Sequence, residues 1–119
     1  MIKYDVLNGV AQILLDEPPV NGITNAMLDT LMARLREAGA DPGVGAIVIG
    51  SAIPGRFCGG LDLKKFREST PAQVHEIVNK LYFQLFELQS GLPKPVIAAI
   101  TGAVRGGGMS IAITCDMLV

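Results

Sequence analysis

The sequence contains little of what marks several classes of protein. Its 119 residues include no tryptophan, one histidine and two cysteines, and no apolar run approaches the roughly 20 residues that a membrane-spanning helix needs. Cys58 and Cys115 lie far apart without metal-ligand spacing, so neither a metal site nor a disulfide framework is expected. Both cysteines are predicted to be small, buried apolar side chains, and no contact with a membrane is expected.

Concentrated charge is also lacking. Ten basic and eleven acidic residues give a formal net charge of −1, and they are too dispersed to form the dense positive patch that attracts nucleic-acid phosphates. The amino end, Met1 to Asp5, has no apolar stretch of the secretory type. The sequence therefore predicts a cytoplasmic or similarly reducing location and no nucleic-acid partner.

What the chain does have is apolar residues, half of the total, which suffice for one core in a single domain over residues 1–119. Two β-favouring runs, 3–8 and 10–16, flank Asn8-Gly9 and predict a hairpin. Thr24 can cap a helix that Gly39 can end. Its apolar positions recur with the helical period: Leu28, Leu31, Met32 and Leu35. The continuous apolar run 46–49 predicts a strand covered on both faces, as in parallel sheets.

The second half of the chain repeats this alternation. Thr70, Pro71 and Gln73 form the pattern of a capping box with proline at the first helical position, which predicts a long helix ending at Gly91. A buried strand is predicted over 96–100, followed by a helix beginning at the glycines and a last strand over 115–119. Alternating strands and helices indicate an α/β fold.

Two glycine-containing segments, 56–64 and 102–110, carry the chemistry. Each follows a predicted buried strand, where ligand sites form in α/β sheets, and glycine lets a ligand reach the main-chain N–H groups. A helix starting in the second segment would aim unpaired N–H groups at an anion. Neither of the two glycine motifs that bind nucleotides, the P-loop and the dinucleotide-binding motif, is present. Tight helix packing alone would also explain three consecutive glycines.

Taken together and in order, these segments resemble the crotonase superfamily, also called the enoyl-CoA hydratase/isomerase family. The resemblance covers nearly the whole chain and rests on these segments: Pro19-Val20-Asn21-Gly22-Ile23-Thr24, 46–49, Arg56-Phe57-Cys58-Gly59-Gly60-Leu61-Asp62-Leu63, 94–100, 102–108 and Cys115-Asp116. It implies a crotonase-like spiral of strand-strand-helix units, of which this chain would be the N-terminal part. The Gly-Leu-Asp-Leu stretch is most similar to the Δ3,Δ2-enoyl-CoA isomerase branch.

The resemblance also implies a site. The backbone N–H groups of Leu61 and Gly107 would form an oxyanion hole for an acyl thioester carbonyl. Residues implied to contact the coenzyme A thioester are Val20, Gly22, Gly59, Leu61, Asp62, Leu63, Lys64, Gly106, Gly107 and Ser110. Arg56 and Lys64 could meet the coenzyme's phosphates. No permanently bound cofactor is implied, since the coenzyme A thioester is the substrate, and the whole protein would be a homo-trimer or hexamer built through a C-terminal region.

One residue departs from the family pattern. Hydratases of the family carry a glutamate where this chain has Ser110, and a serine cannot act as a carboxylate base near neutral pH. Hydration by two glutamates is therefore disfavoured relative to isomerisation. Three hypotheses remain open: an isomerase-like enzyme, a catalytically silent acyl-CoA-binding or assembly paralogue, and a serine peptidase using Ser110, for which His75 is the only histidine.

Overall fold

The strands form two sheets, and the later strands alternate between them. The computed structural model describes all residues, 1–119. The strands are β1 (Ile2–Leu7), β2 (Val10–Leu15), β3 (Ala46–Ser51), β4 (Gly55–Cys58), β5 (Val96–Ala98), β6 (Gly102–Val104) and β7 (Met117–Leu118). The helices are α1 (Asn25–Ala40), α2 (Leu63–Arg67), α3 (Pro71–Asn79), α4 (Leu85–Gly91) and α5 (Gly107–Ile113), and a π-helical turn, Lys80–Gln84, joins α3 to α4.

The larger sheet has the order β1-β2-β3-β5-β7, and the smaller sheet pairs β4 with β6. Only the β1–β2 pair is antiparallel; every other pair is parallel. In the large sheet, β3 and β5 are each followed by a strand of the small sheet and then by helix. The predicted α/β class and the repeated strand-strand-helix order are both confirmed.

The opening hairpin is confirmed. Leu7 pairs with Val10, and the two turn residues between them have positive φ, 52° at Asn8 and 78° at Gly9. Two left-handed residues are what a type I′ turn requires, and this turn matches the twist of the strands that it joins.

Helix α1 begins as predicted, with the Thr24 side chain accepting a hydrogen bond from the Met27 N–H at 3.2 Å. Its apolar stripe is buried against the large sheet. The helix ends one residue later than predicted, because Gly39 does not adopt a positive φ and the extended residue Asp41 ends the helix instead.

The predicted long helix is present, but a wider turn interrupts it. The capping box of Thr70 and Gln73 forms at its start, and Ile77, Leu81 and Leu85 are buried at steps of four residues. Residues four apart drift around a helix of 3.6 residues per turn, and one π-helical turn returns them to the core side. Periodicity alone does not reveal such a turn.

Three short elements were not predicted: β4, β6 and α2. Each has three to five residues, too few to display a hydrophobic period. The predicted strand over 96–100 is shorter than expected, as is the last one. In β3, Ile47 and Ile49 are fully buried, whereas Ala46 and Val48 on the opposite face are only half-buried. The expected burial of both faces is therefore complete on one face only. No helix is both long and apolar enough to cross a bilayer.

Candidate functional site

The loop after β4 is joined to the loop after β2 by main-chain hydrogen bonds. The Gly59 N–H donates to the Val20 carbonyl at 2.7 Å, the Ile23 N–H donates to the Gly60 carbonyl at 2.7 Å, and the Asp62 N–H donates to the Ile23 carbonyl at 3.0 Å. A Cβ on Gly22 would lie 3.2 Å from the Cβ of Asp62. The fold thus brings together the predicted site residues from two distant parts of the sequence.

The side chain of Asn21 holds the loop after β2 in place. Its side chain is fully buried, and its amide donates to the Ser51 hydroxyl and to the Phe57 carbonyl, each at 2.8 Å. Its side-chain oxygen accepts from the Glu17 N–H at 2.7 Å. Because every polar group of a buried amide side chain is satisfied, Asn21 holds the start of the loop in one position.

The two glycine-containing segments are in direct contact. A Cβ on Gly60, which has a φ of 90°, would lie 2.9 Å from the Arg105 carbonyl oxygen and 3.5 Å from the Gly107 nitrogen. The Arg105 N–H also donates to the Cys58 carbonyl at 2.9 Å. Only glycine at position 60 permits both the backbone conformation and this approach.

The amides of Leu61 and Gly107 lie at this contact, and neither donates a hydrogen bond within the chain. Standard covalent geometry from the Gly60 Cα places the two nitrogens no more than about 7 Å apart. Leu61 is half-buried and Gly107 is buried. The arrangement therefore offers two uncommitted main-chain donors in a partly enclosed place.

Gly107 is enclosed by apolar side chains. A Cβ at this position would lie 2.9 Å from Cδ2 of Leu81 and 3.1 Å from Cδ1 of Ile23. Leu81 also lines a cavity of about 220 Å³, whose other lining residues are Tyr82, Phe86, Ser110, Ile113 and Thr114. Leu81 is thus common to the surroundings of Gly107 and to this cavity, which residues of α5 also line.

Of the remaining predicted contacts, Asp62 has a clear structural use, since its carboxylate accepts from the Lys65 N–H at 3.1 Å and caps α2. Leu63 and Lys64 are exposed in the first turn of that helix and line a separate cleft with Arg67 and Glu68. Gly106 is exposed beside the two donors.

Another cleft, which Arg56 and Arg105 line, carries positive charge. It has a volume of about 380 Å³ and is lined by Val20, Arg56, Gly59, Ala103 and Arg105. Both arginines are exposed, and neither takes part in an ion pair. Two free guanidinium groups in one cleft without a carboxylate favour an anion.

The surroundings of the two cysteines indicate a structural rather than a reactive role. Cys58 is buried as predicted, and its thiol donates to the Asn21 carbonyl at 3.1 Å, whereas Cys115 is only half-buried. Burial raises the pKa of the Cys58 thiol; burial and the nearby Asp116 carboxylate raise the pKa of Cys115 to about 12. Neither thiol has the depressed pKa of a reactive cysteine.

The sequence pattern did not single out four residues that shape this site: Asn21, Gly60, Leu81 and Arg105. Asn21 and Gly60 lay within noted motifs, and the Gly59-Gly60 pair was a usable signal of close approach. Leu81 was assigned only to the core stripe. The position of Arg105 beside Arg56 depends on the parallel pairing of β4 with β6, which nothing in the sequence indicates.

Comparison with known proteins agrees with the geometry. Residues 5–119 match the sequence profile described as enoyl-CoA hydratase/isomerase. The probable mitochondrial enoyl-CoA hydratase 2 of Arabidopsis thaliana is 38% identical over 111 residues, which are 92% of this chain and 36% of that protein. The chain therefore spans little more than a third of this relative's length.

Solved structures share the fold. The enoyl-CoA hydratase of Bacillus anthracis superposes with a TM-score of 0.90 at 29% identity, and the human mitochondrial Δ3-Δ2-enoyl-CoA isomerase with a TM-score of 0.88 at 27% identity. Each superposition covers 98% of this chain and 46% of the other. The predicted crotonase-like fold is confirmed. The cytoplasmic location stays a prediction, because the Arabidopsis relative is named as mitochondrial.

Proposed function

Because the chain belongs to the enoyl-CoA hydratase/isomerase family, we propose that it binds an acyl-coenzyme A thioester and polarises the thioester carbonyl with the N–H groups of Leu61 and Gly107. The observation that carries this proposal is the contact of Gly60 with the Gly107 amide. It keeps two uncommitted donors from separate loops within about 7 Å of each other.

Such donors stabilise negative charge that develops on the carbonyl oxygen. Removing the α-proton of an acyl thioester gives an enolate, whose oxygen carries that charge. Main-chain donors fixed in a partly dry site need no reorganisation during the reaction, and a single donor contributes about 3 to 4 kcal/mol in comparable sites. The buried environment of Gly107, against Leu81 and Ile23, provides both the rigidity and the low dielectric.

The reaction that this site favours is isomerisation of an enoyl-CoA rather than hydration by two carboxylates. Ser110 lies one helical turn after Gly107 and lines the adjoining cavity, where it offers a hydroxyl and no carboxylate. The proton acceptor would then be another group. Both a hydratase and an isomerase are among the similar structures, so the preference for isomerisation rests on Ser110.

The coenzyme would lie across the joined loops. Val20, Gly22, Gly59, Asp62, Leu63, Lys64 and Gly106 surround the two donors or continue from them along α2. The free guanidinium groups of Arg56 and Arg105, in the cleft that Val20 and Gly59 also line, suit the phosphates of the coenzyme's nucleotide. No permanently bound cofactor is needed, and we expect the whole protein to assemble as a homo-trimer or hexamer.

The test is to assay the full-length protein for 3-enoyl to 2-enoyl isomerisation, for hydration and for thioester hydrolysis. Isomerisation faster than hydration is expected. Tight binding of acyl-CoA without turnover in any assay would instead support a catalytically silent acyl-CoA-binding paralogue, an alternative that the missing carboxylate at Ser110 also motivates. Absence of both binding and turnover would contradict the proposal.

A further inference from the structure

We infer that Asn21 is a positioning residue for the proposed reaction and sets the direction in which the Leu61 N–H points, although its side chain bonds to neither Leu61 nor Gly107. This inference rests on the proposed function, because it concerns a donor that the proposal assigns to the thioester carbonyl. It starts from the peptide group that joins Gly60 to Leu61.

This one peptide group carries both the Leu61 N–H and the Gly60 carbonyl. A peptide group is planar, and in the trans form, which this one has, its N–H and C=O point in opposite directions. The Gly60 carbonyl accepts a hydrogen bond from the buried Ile23 N–H at 2.7 Å. The Leu61 N–H therefore points away from Ile23, and rotation of the peptide plane would break that bond.

Ile23 also bonds on the other side of Leu61. The Asp62 N–H donates to the Ile23 carbonyl at 3.0 Å, so Ile23 and Leu61 are paired as in a parallel sheet. One residue earlier in the second loop than Gly60, the Gly59 N–H donates to the Val20 carbonyl at 2.7 Å. The direction of the Leu61 donor thus depends on where the main chain of residues 20–23 lies.

Asn21 fixes that main chain to both sheets. It is fully buried and has a φ of 55°, a left-handed conformation that asparagine adopts more readily than most residues. Its side chain bonds to the Glu17 N–H after β2, to the Ser51 hydroxyl at the end of β3 and to the Phe57 carbonyl in β4. Every group in this network belongs to residues 17–62, so the network is complete within this chain.

A misdirected Leu61 donor would slow the reaction more than it weakens binding. The remaining contacts of a coenzyme A thioester do not involve this N–H, whereas the negative charge on the carbonyl oxygen grows as the transition state forms. An interaction that strengthens in the transition state affects kcat, while contacts made equally in both states affect KM. Loss of the Asn21 contacts should therefore lower kcat and leave KM nearly unchanged.

Two substitutions remove the contacts to different degrees. Asn21→Asp keeps the size of the side chain and the acceptor for the Glu17 N–H, but it replaces the amide that donates to Ser51 and Phe57 by a carboxylate. Ser51→Ala removes only one of the two acceptors and is the milder change. Both leave the residues that would meet the thioester unaltered.

Lys94→Met is the control for a general loss of stability. The ammonium group of Lys94 donates to the Ala38 and Asp41 carbonyls at the C-terminal end of α1, whereas the loop that contains Asn21 precedes the other end of this helix. The control therefore loses buried hydrogen bonds of a charged group without touching the joined loops.

Two measurements on the full-length protein separate positioning from stability. The first is kcat and KM for isomerisation of 3-hexenoyl-CoA. The second is the infrared stretching frequency of the thioester carbonyl in bound butyryl-CoA that carries ¹³C at this carbon. Hydrogen bonds from the site polarise the carbonyl, so its stretch should lie at lower frequency in the wild-type complex than in free butyryl-CoA.

For Asn21→Asp we expect kcat to fall at least about 30-fold with KM changed by less than about threefold, because the misdirected donor acts mainly in the transition state. Its carbonyl stretch should move back toward the frequency of free butyryl-CoA. Ser51→Ala should shift the stretch in the same direction and lower kcat by about threefold. Lys94→Met should change neither quantity.

A wild-type carbonyl stretch in Asn21→Asp, a rise in KM with unchanged kcat, or an equal fall in kcat for Lys94→Met would overturn the inference and leave the proposed function intact. If Asn21→Asp does not fold, Ser51→Ala decides, and an unshifted carbonyl stretch in that variant would overturn the inference. Wild-type protein that binds no thioester, or binds butyryl-CoA without polarising its carbonyl, would contradict the proposed function itself.

Discussion

A Cβ atom on Gly60 would lie 3.5 Å from the amide nitrogen of Gly107. These residues are 47 positions apart, and the loops that carry them follow parallel neighbouring strands, β4 and β6. The small sheet therefore sets the distance between the two proposed donors, and side chains added at the glycines would change it.

Gly60→Ala is the sharpest test of that arrangement. The new methyl group would lie 2.9 Å from the Arg105 carbonyl oxygen, and alanine disfavours the φ of 90° at this position, so we expect the loop to shift and the neighbouring Leu61 N–H to turn away from the carbonyl. We expect kcat/KM for an enoyl-CoA to fall about 100-fold or more. Gly91→Ala is the control, because an added Cβ there meets nothing within 4 Å; an equal loss in both variants would contradict the proposed role of the Leu61 donor.

Ser110→Ala should have little effect. If serine does not act as nucleophile or base, removing its hydroxyl should change kcat/KM for isomerisation by less than about threefold. Wild-type protein treated with a serine-directed phosphonate should show no adduct at Ser110 by mass spectrometry. An adduct there, with loss of activity in Ser110→Ala, would favour the peptidase hypothesis.

Arg56→Gln and Arg105→Gln should weaken binding of coenzyme A thioesters by about tenfold each, since each removes a charge-assisted contact to phosphate. Binding of the corresponding pantetheine thioester, which lacks the nucleotide, should not change. Arg36→Gln, an exposed and unpaired arginine on α1, controls for the change in net charge. Equal losses with both ligands would exclude a phosphate contact.

Much of the fold followed from local patterns. The Asn8-Gly9 turn, the Thr24 cap and the Thr70–Gln73 capping box each predicted an element that is present. These devices act within a few residues, so the sequence displays them directly. The α/β class followed from the alternation of the elements.

The features that shape the site were less visible because they depend on contacts between distant segments. Nothing local to Arg105 shows that it lines a cleft with Arg56, and the stripe containing Leu81 looked like ordinary core. The π-helical turn was hidden for the same reason, since packing against α1 and α5, rather than helix propensity, places it.

Lys80 provides a stability prediction. Burial opposes its charged form, but the hydrogen bonds that its ammonium group donates to the Asp29 and Glu76 carboxylates outweigh that effect and raise the pKa of Lys80. A raised folded-state pKa stabilises the fold fully below the ordinary value of 10.5, and the contribution is lost as the pH rises through the folded-state value.

Lys80→Met should therefore lower the free energy of unfolding by about 1 kcal/mol at pH 7, a modest amount because both carboxylates are half-exposed. Urea denaturation at pH 7 and at increasing pH above 10.5 would measure it, and the difference from wild type should shrink over that range. Glu37→Gln, which breaks the exposed Arg34–Glu37 pair, should cost less. A difference independent of pH would show that Lys80 contributes through packing alone.

A crystal structure of the full-length protein with a bound acyl-coenzyme A thioester tests the central proposal most directly. The thioester carbonyl oxygen is predicted to lie about 2.7 to 3.1 Å from the nitrogens of both Leu61 and Gly107. A carbonyl oxygen bonded to only one of these amides, or a thioester bound elsewhere on the protein, would contradict it.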